Sequence, residues 1–124
     1  LPGGLRAVVM PVPLSLRRLR ERGLNQSLLL ARYVAKAQGL PIDFLSLRRV
    51  RETPPQAALG KDARRTNVRG AFAVIDRAGV KKRDVVLVDD VSTTGSTLDA
   101  CSRALLRAGA RRVFGLTLAR APTP

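Results

Sequence analysis

The sequence predicts an α/β protein with an open, mainly parallel sheet of about five strands flanked by helices. Short apolar segments alternate with segments of helical periodicity, as in sheets whose parallel strands are joined by helices. Residues 85–88 (VVLV) are continuously apolar, as expected of a strand covered on both faces. A chain of 124 residues is long enough for one core and too short for two, so we expect a single domain over residues 1–124.

Five segments are predicted as strands. The first, AVVMPV, is short and apolar and is ended by Pro11 and Pro13. The fourth, DVVLVDD, is the strongest strand pattern in the chain and should lie at the centre of the sheet. The strands are expected at residues 7–12, 43–47, 70–75, 84–90 and 111–119.

Two helices are predicted between these strands. The first begins at about Asn25, a favourable N-cap, and is stopped by the GLP of residues 39–41. The second ends at Gly109. Their apolar faces are expected at Leu30, Val34 and Ala37 in the first helix, and at Leu98, Cys101, Leu105 and Ala108 in the second.

The composition limits the chemistry. One cysteine and no histidine exclude a disulfide framework and argue against a zinc enzyme, and they favour a reducing, cytoplasmic setting. No apolar run reaches the length of a membrane span. Lysines and arginines number 23 against 9 acidic residues, which indicates a polyanionic partner: nucleic acid, an acidic protein or a multiply phosphorylated small molecule. The alternative is a solvated basic surface without a partner.

The segment VVLVDDVSTTGSTL concentrates polar chemistry at the end of the central predicted strand. Asp89 and Asp90 fall at its carboxyl edge, and the next turn leads into a helix. Gly95 allows close backbone approach, and the helix start and its hydroxyls suit a phosphate monoester. Two carboxylates beside a phosphate are reasonable if they accept hydrogen bonds from a ribose diol or hold Mg²⁺ through its waters.

This segment resembles the phosphoribosyl pyrophosphate motif of type I phosphoribosyltransferases. The segments VVMPVPLSLRRLRERGLNQSLLLA and RETPPQAALGKDARRTNVRGAF resemble the ComF/GntX branch, competence-associated proteins with a phosphoribosyltransferase domain. The resemblance implies the corresponding fold, with a short or absent hood over the acceptor site. Members of this branch usually carry an N-terminal cysteine-ligated zinc module, which is absent from this chain.

The resemblance also assigns roles to residues. Asp89 and Asp90 would contact the ribose hydroxyls, with Mg²⁺ held nearby through ligand and waters and no metal bound directly by the chain. The 5-phosphate loop would comprise Thr93, Thr94, Gly95, Ser96 and Thr97. The pyrophosphate loop, Pro13 to Arg22, would use Arg17, Arg18, Arg20 and Arg22, since guanidinium groups pair well with phosphate oxygens.

A loop from Arg51 to Arg69 would close over the site. Lys61 and Arg64, with Arg65, are the candidates to cover the leaving diphosphate, and a basic loop without a chemical role is the alternative. Gln56 and Asn67 match the family pattern alone. Thr93 stands where purine-salvage members hold an acid, which disfavours a hypoxanthine or guanine acceptor.

The function expected from the resemblance is Mg²⁺-dependent transfer of a phosphoribosyl group to a nitrogen acceptor. Phosphoribosyl pyrophosphate or a nucleoside monophosphate would be the ligand. Two alternatives stay open: a non-catalytic DNA-uptake module, and a sensor of phosphoribosyl pyrophosphate. Three phenylalanines and one tyrosine offer few stacking platforms, so we expect any DNA binding to be weak. The oligomeric state, including a homodimer, is also open.

Overall fold

The computed structural model describes residues 7–14, 20, 23, 25–51, 70–92 and 95–120, and it confirms the predicted α/β class. Within these residues no helix is both long and apolar enough to cross a membrane. The chain order is strand β1 (Ala7–Pro11), helix α1 (Gln26–Gln38), strands β2 (Leu47–Arg49) and β3 (Phe72–Val74), a 3-10 turn (Arg77–Gly79), strand β4 (Asp84–Ser92), helix α2 (Ser96–Arg107) and strand β5 (Arg112–Arg120).

The sheet has three parallel strands in the order β1-β4-β5. Ala7, Asp84 and Arg112 share one register position and begin the three strands. Strands β2 and β3 pair with each other, antiparallel, as a separate small sheet. All five predicted strands therefore have a counterpart in the structure, and three of them form its parallel sheet.

The second predicted strand is shifted along the chain, from residues 43–47 to Leu47–Arg49. The reason is a local turn: the carboxylate of Asp43 accepts hydrogen bonds from the backbone N–H groups of Leu45 and Ser46. Such a turn competes with a strand ladder for the same backbone groups. The third predicted strand, residues 70–75, is shortened to Phe72–Val74, because Gly70 has a left-handed backbone with a φ of 74°.

Strand β4 contributes to a core on each face of the sheet. Val85 and Leu87 pack into a cluster with Cys101 and Leu105 of α2. Its alternate residues Val86 and Val88 pack on the other face with Ala31 and Ala35 of α1. This burial on both faces explains the continuous apolar run that predicted a central strand.

Helix α1 begins and ends where its sequence predicts. The Asn25 side chain accepts a hydrogen bond from Leu28 N, and Gly39 ends the helix with a φ of 65°. The predicted apolar face is rotated, however. Ser27, Ala31 and Ala35 are buried. Of the predicted face, Leu30 and Val34 are partly buried at the edge of the cluster and Ala37 is exposed, because small side chains allow the closest packing on β1 and β4.

Helix α2 buries the predicted stripe. Cys101, Leu105 and Ala108 belong to its core cluster, and Leu98 packs against that cluster. Burial raises the pKa of the Cys101 thiol, which makes the thiol a poor nucleophile. The helix is followed by Gly109 with a φ of 101°.

The packing predicts that Leu105→Ala lowers the free energy of unfolding by ~2–5 kcal/mol, because it removes a side chain with no exposed surface from the α2 cluster. Urea unfolding followed by circular dichroism measures this change. Leu106→Ala is the matched control, since the Leu106 side chain is 51% exposed and its loss should shift stability by less than ~1 kcal/mol. Equal losses for the two variants would contradict the assigned packing.

Candidate functional site

The carboxyl edge of the parallel sheet brings together the starts of both helices. Strand β1 ends at Pro11 and β4 at Ser92, and the helices that follow them begin at Gln26 and Ser96. Because the strands are parallel, both connections leave from the same edge, which is where open α/β sheets bind ligands.

Hydrogen bonds fix the start of α1 against the end of β1. Val12 N donates to Val88 O at 2.8 Å, which extends the pairing of β1 with β4 beyond Pro11. Asn25 Nδ2 donates to Val12 O at 3.4 Å while Asn25 Oδ1 caps the helix. Val12 and Asn25, which flank the predicted pyrophosphate loop, therefore lie together at the carboxyl edge of the sheet.

Two consecutive carboxylates, Asp89 and Asp90, lie at this edge on β4. The Asp89 residue is 9% exposed and Asp90 is half-buried. Ser27, in the first turn of α1, lies between them. Its Oγ is 3.3 Å from Asp89 Oδ1 and 3.4 Å from Asp90 Oδ1, and it accepts a hydrogen bond from Asp90 N at 3.2 Å. We call these three residues the acid-pair site.

The acid-pair site holds more negative charge than its surroundings favour. Burial, the hydrogen bond with Asp90 and the negative charge of Asp90 together raise the pKa of Asp89 to about 6. Hydrogen bonds from Ser27 and from Asp90 N act in the opposite direction. In the part of the chain that the structure describes, no lysine or arginine forms an ion pair with either carboxylate.

Such a pair can accept hydrogen bonds from neutral hydroxyls or hold a hydrated cation. Both would relieve the repulsion between the carboxylates and the cost of burying charge. Over the described residues, no group of three histidine, cysteine or acidic side chains could enclose a metal ion.

The turn after β4 leads directly into α2. Gly95 is the N-cap and has a left-handed backbone with φ 79° and ψ 3°, which favours glycine. Its O accepts the hydrogen bond from Asp99 N at 2.9 Å that begins the helix. As a glycine, the N-cap residue contributes no side-chain hydrogen bond to this helix start. The positive end of the helix dipole lies at the same edge as the acid pair.

The structure places part of the predicted site. Asp89, Asp90, Gly95, Ser96 and Thr97 lie at the carboxyl edge, with Ser96 buried and Thr97 half-buried. Arg20 is exposed. The other predicted site residues lie outside the described residues: Thr93, Thr94, Lys61, Arg64, Arg65, Arg17, Arg18, Arg22, Gln56 and Asn67.

Sequence reasoning missed Ser27 as a member of the site. The signal was present, since Ser27 follows the helix N-cap by two residues and the helix follows a strand of the parallel sheet. Only the pairing of β1 with β4 shows that Ser27 meets the two aspartates.

Comparison with known proteins identifies the fold and family. Residues 24–123 match the family model described as phosphoribosyl transferase domain. A solved structure described as the allosteric regulatory enzyme of purine biosynthesis superposes with a TM-score of 0.62 and 27% identity, over 94% of this chain and 23% of that one.

Two relatives define the branch. Competence protein F of Haemophilus influenzae is 36% identical over 94% of this chain and 52% of its own length. DNA utilization protein YhgH of Salmonella typhi is 40% identical over 85% of this chain and 45% of its own. The chain thus spans about half of the length of these relatives. It belongs to the phosphoribosyl transferase domain family, in the competence protein F branch of the type I phosphoribosyltransferases.

Proposed function

We propose that the carboxyl edge of the sheet binds phosphoribosyl pyrophosphate and that the protein transfers its phosphoribosyl group to a nitrogen acceptor. The observation that carries the proposal is the acid-pair site: two neighbouring carboxylates, one of them largely buried, without a cationic partner among the described residues. A ligand with adjacent hydroxyls supplies the donors that these carboxylates lack.

The arrangement of the edge matches the parts of this ligand. The acid pair accepts hydrogen bonds from the two ribose hydroxyls. The left-handed turn at Gly95 and the start of α2 receive the 5-phosphate, since backbone N–H groups and the helix dipole favour an anion. The diphosphate is left for the loop between β1 and α1, whose two ends are held at this edge by Val12 and Asn25.

Magnesium fits the acid-pair site by its chemistry. Carboxylate oxygens are the hard ligands that Mg²⁺ prefers, and Mg²⁺ usually keeps several waters and is shared with substrate phosphates. Asp89 and Asp90 would hold it through those waters. The ion would supply positive charge to the leaving diphosphate.

In the proposed reaction, the bond between C1 of the ribose and the diphosphate oxygen breaks, and the electron pair leaves with pyrophosphate. The nitrogen acceptor forms the new bond to C1 and then releases a proton to water. The sugar carries positive charge in the transition state, and the carboxylates of Asp89 and Asp90 stabilise it while they fix its hydroxyls. Lys61 and Arg64 are proposed, from the family resemblance, to cover the leaving group.

Phosphoribosyl pyrophosphate binding is the first test. Asp89→Asn together with Asp90→Asn should weaken binding at least tenfold, because hydrogen bonds to charged acceptors contribute ~1.5–3 kcal/mol each. Isothermal titration calorimetry in the presence of Mg²⁺ measures the affinity for phosphoribosyl pyrophosphate. The control is Asp76→Asn, which removes one exposed carboxylate away from the carboxyl edge, and the single variants Asp89→Asn and Asp90→Asn are compared with it at the same change in charge.

Unchanged affinity in the acid-pair variant would refute the assigned site. The unmodified protein is also assayed for pyrophosphate release with a set of nitrogenous bases and with ammonia. If it binds phosphoribosyl pyrophosphate but releases no pyrophosphate with any of them, the transfer step is refuted and a sensor of phosphoribosyl pyrophosphate is left.

Ser27 gives a second test with a characteristic pH profile. Its hydrogen bond lowers the pKa of Asp89, so Ser27→Ala should raise that pKa above its value of about 6. More of the Asp89 carboxyl is then protonated at neutral pH, and affinity for phosphoribosyl pyrophosphate falls. The loss of affinity relative to the unmodified protein should become smaller as the pH rises, because the Asp89 carboxyl ionises again.

Calorimetry at a series of pH values between roughly 6 and 9 measures the loss of affinity. This pH range covers the raised pKa of the Asp89 carboxyl. Ser102→Ala, a change of a half-buried hydroxyl on α2, is the control. A loss of affinity that is the same at every pH would mean that Ser27 acts through packing alone.

A further inference from the structure

We propose that the opposite, amino-terminal edge of the sheet carries a second ligand surface, which binds the phosphodiester backbone of a nucleic acid. The strands begin at this edge with Ala7, Asp84 and Arg112. Asp84 and Asp89 are five positions apart on β4, which corresponds to about 16 Å along the strand. The surface is therefore distinct from the acid-pair site and does not depend on the function proposed for it.

Two neighbouring turns gather positive charge at this edge. Backbone hydrogen bonds join them: Lys82 N donates to Gly109 O at 2.8 Å, and Arg111 N donates to Arg83 O at 2.8 Å. The 3-10 turn just upstream is tied in by a bond from Lys81 N to Arg77 O. We call the resulting set of residues the basic edge: Arg77, Lys81, Lys82, Arg83, Arg111 and Arg112.

Three carboxylates face parts of the basic edge and leave its lysines unpaired. The buried Asp84 pairs with Arg112 at 3.1 Å and with Arg111 at 3.8 Å. The charge of Arg83 acts on Asp43, and Asp76 accepts a hydrogen bond from Ala78 N. Lys81 and Lys82 are exposed, and neither forms an ion pair with a carboxylate of the described residues. Six cations thus face three anions, so this edge has an excess of positive charge to which the two lysines contribute.

An open depression of about 590 Å³ runs beside these lysines. Its uncharged wall includes Leu40, Pro41 and Ala78, while Lys81, Lys82 and Arg83 supply its cationic side. A nucleic-acid strand has this same division, with phosphates along one side and less polar sugars and bases along the other. An extended strand can therefore place phosphates on the lysines and lay a sugar or base against the apolar wall.

The backbone at Lys82 is an independent indication. Its φ of 61° makes it the one non-glycine residue with a positive φ among those described. This region is unfavourable for a long side chain and is tolerated best by glycine, asparagine and aspartate. The hydrogen bonds of Lys82 N and Arg83 N hold the turn in this conformation. Strained residues of this kind concentrate at binding sites, where they fix the direction of a side chain.

Backbone recognition fits this surface better than base recognition. Exposed aromatic side chains, on which bases stack, do not line the described depression. Contacts to phosphates are independent of sequence and release counterions, so log affinity falls linearly with log salt. The slope is about 0.7 per phosphate contacted on a single strand and about 0.9 on a duplex.

Fluorescence anisotropy over a salt series measures binding of a fluorescein-labelled single strand of about 20 nucleotides, and of the matching duplex. This length is sufficient for a few binding sites of the usual size. The test variant combines Lys81→Gln with Lys82→Asn, since asparagine accepts the left-handed backbone. The control combines Arg32→Gln with Arg103→Gln, which removes the same charge from exposed positions on the two helices. Circular dichroism checks the fold of both.

The test variant should lose about 1.4 from the single-strand slope, which corresponds to two phosphate contacts, whereas the control should lose less than about half of that. Binding of either nucleic acid with this difference supports the proposal. Equal losses in the two variants would show a response to total charge and overturn it. Displacement of the labelled strand by poly-glutamate as readily as by unlabelled DNA would also overturn it, in favour of an acidic protein partner.

Discussion

The placing of a buried carboxylate, Asp89, beside a half-buried one, Asp90, near the end of the central strand is the constraint around which the rest of this structure is arranged. Strand β4 lies between β1 and β5 and is covered by a helix on each face, and Asp89 near its carboxyl end has little access to water. Charged groups are costly in such a position unless something compensates them. Here the compensation within the described chain is one serine hydroxyl and one backbone N–H, and it leaves the pKa of Asp89 raised to about 6.

The neighbouring elements are positioned with respect to this pair. Small residues on α1 bring the helix close to the sheet, and this places Ser27 between the carboxylates. Asn25 then links the start of the helix to the end of β1. On the other side, Gly95 turns the chain into α2 immediately after β4. A charge that lowers stability in the isolated chain is thus held where a ligand can compensate it, which is typical of binding sites.

Much of this organisation could be predicted from the sequence, because it depends on local patterns. The uninterrupted apolar run of β4 identified the central strand, the Asn25 cap and Gly39 gave the limits of α1, and the two aspartates could only fall at the carboxyl edge. The shift of β2 depended on a turn made by the Asp43 carboxylate, and the rotation of α1 on how closely alanines can pack. The role of Ser27 depends on two segments that are 62 residues apart, which no local pattern reveals.

The proposed site depends most directly on the ionisation of Asp89, and NMR can measure that ionisation. The carboxyl ¹³C shift of Asp89, followed over a pH titration, should give a pKa of about 6 in the ligand-free protein. Addition of Mg²⁺ and phosphoribosyl pyrophosphate should lower that pKa, because the bound ligand favours the ionised carboxylates. A pKa near the ordinary value of 3.8 without ligand, or one that does not change when both are added, would contradict the claim that the acid pair holds uncompensated charge for this ligand.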